Sequence, residues 1–347
     1  MTTPDDSRKR RPAEDIAMPN DQFEQLDTLM DAISRTRDEV ARTVVGQRDV
    51  VDQLLIGLIA GGHVLLEGLP GVGKTLLVRS LGAAAGLSFG RVQFTPDLMP
   101  ADVTGGMVLT PDASGHMTAK FQPGPIFTQV LLADEINRAT PKTQSSLLEA
   151  MQEGTVTAAG SSMALPKPFF VLATQNPVEM EGTYQLPEAQ IDRFLFKSLV
   201  RYPSEAELDA ILDLTTGTSA APPRQILSAE NILQLQQIVR EVPIASHVRR
   251  AVARIALQTQ PDQPQSPQEV RRFLRFGLSP RGAQALVLAA KGHALLNHRY
   301  NVSFDDLRAV LLPVMRHRVQ LNYEGEAEGV AVDALLIKML EAEVERA

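Results

Sequence analysis

"EGLPGVGKT", Glu67 to Thr75, puts three glycines, a proline, a lysine and a threonine into nine positions. Such a stretch neither extends a strand nor opens a helix cheaply, because glycine inside either costs roughly 0.5–1 kcal/mol relative to alanine. It follows "HVLLE" (His63–Glu67), a nearly continuous apolar run, and precedes "KTLLVRSLGAAA", in which Leu76, Leu77 and Leu81 share one helical face. Gly68, Gly73, Lys74 and Thr75 fit the spacing G-x-x-x-x-G-K-[ST] in the strand–loop–helix setting that a phosphate-binding loop requires. Its backbone N–H groups must turn inward around a polyphosphate, and glycines allow those dihedrals and that close approach. The segment Gly68, Leu69, Pro70, Gly71, Val72, Gly73, Lys74 and Thr75 is therefore the candidate nucleotide cradle. Lys74 is placed to reach the β- and γ-phosphates and Thr75 to ligate Mg²⁺. The bland alternative is a glycine-rich turn that matches by accident.

Two further apolar runs, "VLLAD" (Val130–Asp134) and "FFVLAT" (Phe169–Thr174), read like parallel strands buried on both faces. Helix signals lie between them. Thr140 caps, Pro141 takes the first helical position, Leu147, Leu148 and Met151 form a face, and Gly154 ends it. Alternating strand and helix predicts an α/β sheet, whose ligands sit beyond the carboxyl ends of the strands. Asp134, at such an end, is a candidate Mg²⁺ ligand, and Glu135 a candidate base for the attacking water. An acidic turn after a buried strand is the alternative. The third run leads into Gln175-Asn176-Pro177, where the Asn176 amide would bond the γ-phosphate and the water; an Asn-Pro turn is the alternative. Arg193 in "EAQIDRFLF" and Arg281 in "GLSPRGAQAL" are candidates for stabilising transferred charge. For Arg193 the alternative is a local ion pair with Asp192, and for Arg281 an exposed arginine at a helix start.

A length of 347 residues suggests about two domains at roughly 150 residues each. Hydrophobic residues make up 44%, enough for a sizeable core, and the absence of Cys excludes disulfides and thiolate chemistry. Residues 1–20 read as a polar tail with no apolar core of a signal peptide. The run Leu54–Leu66 is too short to span a membrane, and Gly61-Gly62 splits it. A soluble, cytoplasmic protein is expected. Residues 21–202 carry the α/β pattern; from 203 to 347 helical patterns dominate, and Ser303 with Asp306 resembles a capping box. His317, between Arg316 and Arg318, reads as an exposed helix end.

These residues resemble an AAA+ ATPase, and specifically the MoxR family. The resemblance rests on "VVGQ" (Val44–Gln47), the loop above, "VQFTPDLMPADVTG" (Val92–Gly105), "GPIF", "LLADEINRATPKTQSSLLEAMQEGTV", "VLATQNPVEMEGTYQLPEAQIDRF" and "GLSPRGAQAL", and runs from about Ala32 to about Val319. It implies a P-loop core with a five-stranded parallel sheet flanked by helices, a smaller all-helical lid, and a hexameric homo-oligomer binding ATP and Mg²⁺ between neighbours. It implies Asn176 as sensor 1, Arg281 as sensor 2, Arg193 as a finger into the next subunit's site, and Gly46 and Gln47 beside the nucleotide. Arg138 would face the subunit interface. Two hairpin inserts are implied, in "MVLTPDASGHMTAKF" and "TVTAAGSSMALPKPF". In the sensor-2 stretch Leu278 and Gly282 stand where the pattern has alanines. Family members resemble chaperones that remodel partner proteins, often ones carrying a von Willebrand factor A domain.

The rival is a nucleic-acid motor or loader of the same superfamily. From His247 to Gln320 there are twelve Lys or Arg against four Asp or Glu, but the whole chain has net charge −7, no Trp and four Tyr, which argues against base-stacking platforms. A small-molecule kinase would leave Asp134-Glu135 with Arg193 unexplained. A non-hydrolysing switch would have no need of Glu135.

Overall fold

The computed structural model describes residues 20–111, 116–158, 160–176, 183–216 and 221–346. The expected tail lies outside them but for Asn20, as do Pro177 and parts of both expected hairpin inserts. Helices α1 (Asn20–Ala41) and α2 (Arg48–Ala60) precede β1 (Val64–Glu67), α3 (Lys74–Ala84), β2 (Phe89–Gln93) and α4 (Pro100–Thr104). A hairpin of β3 (Gly105–Pro111) and β4 (Met117–Pro123) follows, then β5 (Val130–Asp134), α5 (Pro141–Glu153) and a second hairpin, β6 (Thr155–Ala158) with β7 (Ser161–Ala164). β8 (Phe170–Gln175), α6 (Glu188–Ile191) and β9 (Phe196–Leu199) complete this part. Then come α7 (Glu205–Thr216), α8 (Ala229–Glu241), α9 (Ser246–Gln258), α10 (Gln268–Phe273), β10 (Leu274–Phe276), α11 (Pro280–Leu296), α12 (Phe304–Met315), β11 (Gln320–Leu321), α13 (Tyr323–Ala327) and α14 (Val332–Val344). No described helix is long and apolar enough to cross a membrane.

The five-stranded sheet has the order β2-β5-β8-β1-β9, with every pair parallel. Period two along each strand divides its residues between two cores. Val64, Leu66, Val130, Leu132, Phe170 and Leu172 face one. Leu65, Leu131, Ala133, Val171 and Ala173 face the other, against Leu147 and Leu148 of α5. The first core continues without interruption through α1 and α2 into α8, α9, α11, α12 and α14. The C-terminal region is thus seated behind the sheet. Among the described residues it is helical as expected, apart from a short antiparallel ladder between β10 and β11 and an isolated bridge between Ile244 and Val302.

Sequence signals act locally as their chemistry dictates. α5 starts after Thr140 with Pro141 at its first position and ends at Gly154. Asp306 accepts from the N–H and hydroxyl of Ser303 at 2.8 and 2.9 Å at the start of α12. Before β1, buried His63 joins two elements: its Nε2 donates to Met151 O at 3.1 Å, and its Nδ1 accepts from the Val171 N–H at 3.1 Å. A proton on Nδ1 would face the Val171 N–H, and burial disfavours the charge, so the His63 pKa falls to about 4.

This His63 shift has a pH signature. The unfolded state, with a His pKa near 6.5, takes up the proton first, so stability is fully present above pH 6.5 and is lost as pH falls towards 4. At pH 5 the loss from His63 should be about 2 kcal/mol relative to pH 7.5. Urea unfolding of the wild type and of His63→Asn at both pH values checks it: the wild type should show the steeper decline.

Candidate functional site

The loop after β1 turns through Gly71 and Gly73, whose φ values of 81° and 85° lie in the left-handed region that side chains disfavour. A Cβ built at either meets nothing within 4 Å, so the inner face of the loop opens on space. α3 begins at Lys74, and its first-turn N–H groups lack helical acceptors. Lys74 Nζ donates to Gly68 O at 2.6 Å. Burial lowers the Lys74 pKa, opposed by the carboxylates of Asp134, Glu135 and Glu67. An open, amide-lined concavity with a lysine fits a polyphosphate.

The strand register brings the other candidates to the same edge. Glu67 is level with Gln175, and Gln93 with Asp134, on neighbouring strands roughly 4.8 Å apart. Buried Thr174 is the node. Its Oγ1 donates to Asp134 Oδ1 at 2.6 Å and accepts from the Glu135 N–H at 2.8 Å. Arg91 holds Asp134 Oδ2 through Nη2 at 2.7 Å and Nε at 3.2 Å. Glu135 has φ 56° and opens a 3-10 turn over Ile136–Arg138, a conformation costing about 1–2 kcal/mol for a residue with a Cβ. Its Oε2 accepts from Gln93 Nε2 at 2.7 Å and Arg138 Nη1 at 2.8 Å. Arg138, expected at a subunit interface, is thus also a partner of Glu135. Asn176, buried, directly follows β8 beside β1.

Arg193 and Arg281 are not in this group. Arg193 lies three residues before β9, whose first residue, Phe196, is level with Val64 at the start of β1. Its Nη1 donates to Leu148 O at 2.6 Å. The alternative pairing with Asp192 does not form, because Asp192 Oδ1 accepts from Arg318 Nε at 2.7 Å. Arg281 is exposed in the first turn of α11, and its charge helps keep His63 neutral. Both arginines therefore lie at the amino end of the strands, whereas the cradle leaves the carboxyl end. His317 is not the exposed helix end its flanking arginines suggest. It is half-buried, Nε2 donates to Phe194 O at 3.1 Å, and burial beside Arg318 holds its pKa well below the usual histidine range.

Residues 63–196 match the model of the ATPase family associated with various cellular activities (AAA), and residues 267–338 that of the AAA lid domain. Chaperone MoxR1 of Mycobacterium tuberculosis is 40% identical over 318 residues, covering 92% of this chain and 83% of its own. Protein MoxR of Paracoccus denitrificans is 35% identical, with 89% and 95% covered. A crystal structure from Cytophaga hutchinsonii, whose protein carries an ATPase designation, superposes with a TM-score of 0.85 at 36% identity, covering 92% and 97%. The chain belongs to the MoxR family of AAA+ ATPases. In this MoxR-family chain, periodicity and spacing left Thr174, Arg91 and Gln93 without a role. Their only signal is position, on the two strands beside Asp134: Arg91 and Gln93 on β2 and Thr174 on β8.

The wall beside the cradle is foreseen only in part: Gln47 is expected beside the nucleotide, whereas Tyr202, Leu208 and Ile211 are not. Val44, Gln47, Gly73, Tyr202, Leu208 and Ile211 help line a largely apolar cavity of about 280 Å³. Its size and position suit a nucleoside. Gln47 Nε2 donates to Arg201 O at 2.9 Å, fixing the chain between β9 and α7. α7 buries none of its residues fully, but Leu208 and Ile211 are half-buried at the cavity, and their helical spacing is the available signal.

Replacing Thr174 by Val should leave Asp134 Oδ1 and the Glu135 N–H without this partner, at a cost of about 1–3 kcal/mol. Chemical unfolding measures that loss. Thr174→Ser should recover most of it.

Proposed function

We propose that the protein is a Mg²⁺-dependent ATPase that works as a hexameric ring and uses ATP turnover to remodel or activate partner proteins. The observation that carries the reading is the division of the candidate residues between the two ends of one sheet. Lys74, Asp134, Glu135 and Asn176 gather at the carboxyl end, while Arg193 and Arg281 lie beyond the other. Arginines so placed are of use to a nucleotide only if another copy binds it, which favours sites shared between neighbours.

The roles follow from the chemistry. The loop amides and Lys74 would bind the β- and γ-phosphates, and the cavity beside Tyr202 and Leu208 the nucleoside. Thr75 and Asp134 would hold the metal, which when bound neutralises charge on the phosphates. Thr174 orients Asp134, so one carboxylate oxygen points in a fixed direction. Glu135 would take the proton of the attacking water, for which its bond to Gln93 or Arg138 must yield. Asn176 would position that water, and Arg193 would stabilise charge in the adjoining subunit's site.

The motor reading loses its main support in the helical region. Arg254 pairs with Glu343, Arg272 with Glu324 and Glu328, Arg308 with Asp305 and Glu341, and Arg316 with Asp333. Most of these acids lie beyond Gln320, so a count ending there exaggerates the free positive charge. A protein client, with a von Willebrand factor A domain as the partner class, and a cytoplasmic setting complete the proposal, on the analogy with a relative named as a chaperone.

Glu135→Gln should bind ATP with near wild-type affinity and hydrolyse it about 100-fold or more slowly. Lys74→Ala should weaken nucleotide binding by about tenfold or more, roughly 1.4 kcal/mol. Equilibrium binding of a fluorescent ATP analogue together with phosphate release tests both, and wild-type turnover by Glu135→Gln would refute the base assignment. Stimulation of turnover by DNA would favour the motor instead. Capture of a von Willebrand-type protein by the Glu135→Gln form would support the chaperone reading.

A further inference from the structure

Arg318 is a buried cation whose bonds converge on the segment that carries Arg193. Its side chain is 2% exposed. A guanidinium has five N–H donors, and all five are used here. Nε donates to Asp192 Oδ1 at 2.7 Å, and Nη2 to Asp192 O at 3.0 Å and Phe194 O at 2.6 Å. Nη1 donates to Leu195 O at 3.2 Å and Val314 O at 2.5 Å. Four of the five acceptors belong to residues 192–195, on both sides of Arg193. His317 adds a further bond to Phe194 O.

The other oxygen of Asp192 is held from a second lid element. Ser279 Oγ donates to Asp192 Oδ2 at 3.0 Å and accepts from the Gly282 N–H at 3.0 Å, so the hydroxyl that caps α11 also grips the residue before Arg193. Arg281 follows in the first turn of that helix. Gly282 is part of the fit, because a Cβ there would come within 2.8 Å of Arg318 Cδ and 2.4 Å of Leu278 Cδ1. Of the two departures from the alanine pattern, Gly282 thus lies against the arginine that reaches Asp192, and Leu278 lies against Gly282. Removing a buried cation from water is costly, and a lone structural arginine can be replaced by apolar packing. Four donors of one rigid fork spent on three carbonyls and one carboxylate of a four-residue segment fix direction as well as place.

We infer that Arg318, with Ser279, is a positioning residue for Arg193: through Asp192 it locks the finger segment to the lid, so the lid's position sets where the guanidinium is presented to the adjoining subunit. The inference rests on the reading of Arg193 as a finger acting in a neighbour's site. It makes α11 and the finger segment move as one piece. A lid displaced by events in one subunit would therefore move the arginine offered to the next.

The test is ATP turnover by full-length Arg318→Lys, which keeps the charge and loses the fork, alone and mixed with Glu135→Gln subunits. Glu135→Gln keeps Arg193 and Arg318 intact but contributes almost no turnover of its own. Arg318→Lys alone should lose tenfold or more in kcat, with affinity for a fluorescent ATP analogue within twofold of wild type, because the cradle is at the other end of the sheet. Equimolar Glu135→Gln should raise turnover per Arg318→Lys subunit at least threefold, and the same for Arg193→Ala. A wild-type kcat for Arg318→Lys, or rescue of Arg193→Ala without rescue of Arg318→Lys, overturns the inference. Failure to rescue Arg193→Ala overturns the finger reading itself. Should Arg318→Lys not fold, Asp192→Asn, which keeps the shape and removes the carboxylate charge, goes through the same mixing assay: rescue by Glu135→Gln supports the inference, and wild-type kcat or absence of rescue overturns it.

Discussion

A strand buried on both faces has no position along its length where a charge can sit without a large desolvation cost. In this sheet the residues of β5 are all buried and those of β8 are buried up to Thr174. Chemistry is therefore confined to the strand ends. At the carboxyl end, Asp134 tolerates burial because Thr174 and Arg91 satisfy its two oxygens. At the amino end, His63 tolerates burial because it stays neutral and both nitrogens are bonded. The double burial that makes the core also decides where a nucleotide can be handled and where the lid can be fastened.

This constraint explains how far the sequence could be read. Continuous apolar runs mark β1, β5 and β8 to within a residue, since burial on both faces leaves no alternation to blur them. β2, with the sequence FGRVQ, and β9, with FKSL, lie at the sheet edges and mix polar with apolar residues, so periodicity alone does not reveal them. The loop glycines, Lys74, Asp134 and Glu135 were legible because their spacing or their place after an apolar run reflects local geometry. Thr174, Gln93 and Arg91 were not, because their partners lie some forty residues away and only strand pairing brings them together.

The helical region shows the same limit with charge. Asp306 accepts from Arg299, His293 and Ser303 while fully buried, and its carboxyl is held well below the usual range although burial alone would raise it. Hydrogen bonding to the charged form outweighs desolvation there. Likewise His317 is bonded to Phe194, 123 residues earlier, a partner that the arginines beside it do not announce. Local charge density along a sequence describes a surface only where the side chains have no distant partners.

Arg193 sits where the same constraint leaves room for a charge, at the amino end of the strands. Its segment is the point where the sheet, entered through β9, meets the C-terminal helices, entered through Ser279 and Arg318. β1 spans four residues, roughly 13 Å, between the cradle and that junction. Close-packed interiors deform little, so a displacement at one end of so short a strand is passed to the other as movement of whole elements. The lid is fastened at the amino end by charged hydrogen bonds and along α2 by apolar contact, so the joint at residues 192–195 is held from both sides. On the proposed reading of Arg193 as a finger, an arginine carried on that joint would serve a neighbour's nucleotide only in those lid positions that aim it there, which would make the joint, and not the cradle alone, part of what determines turnover.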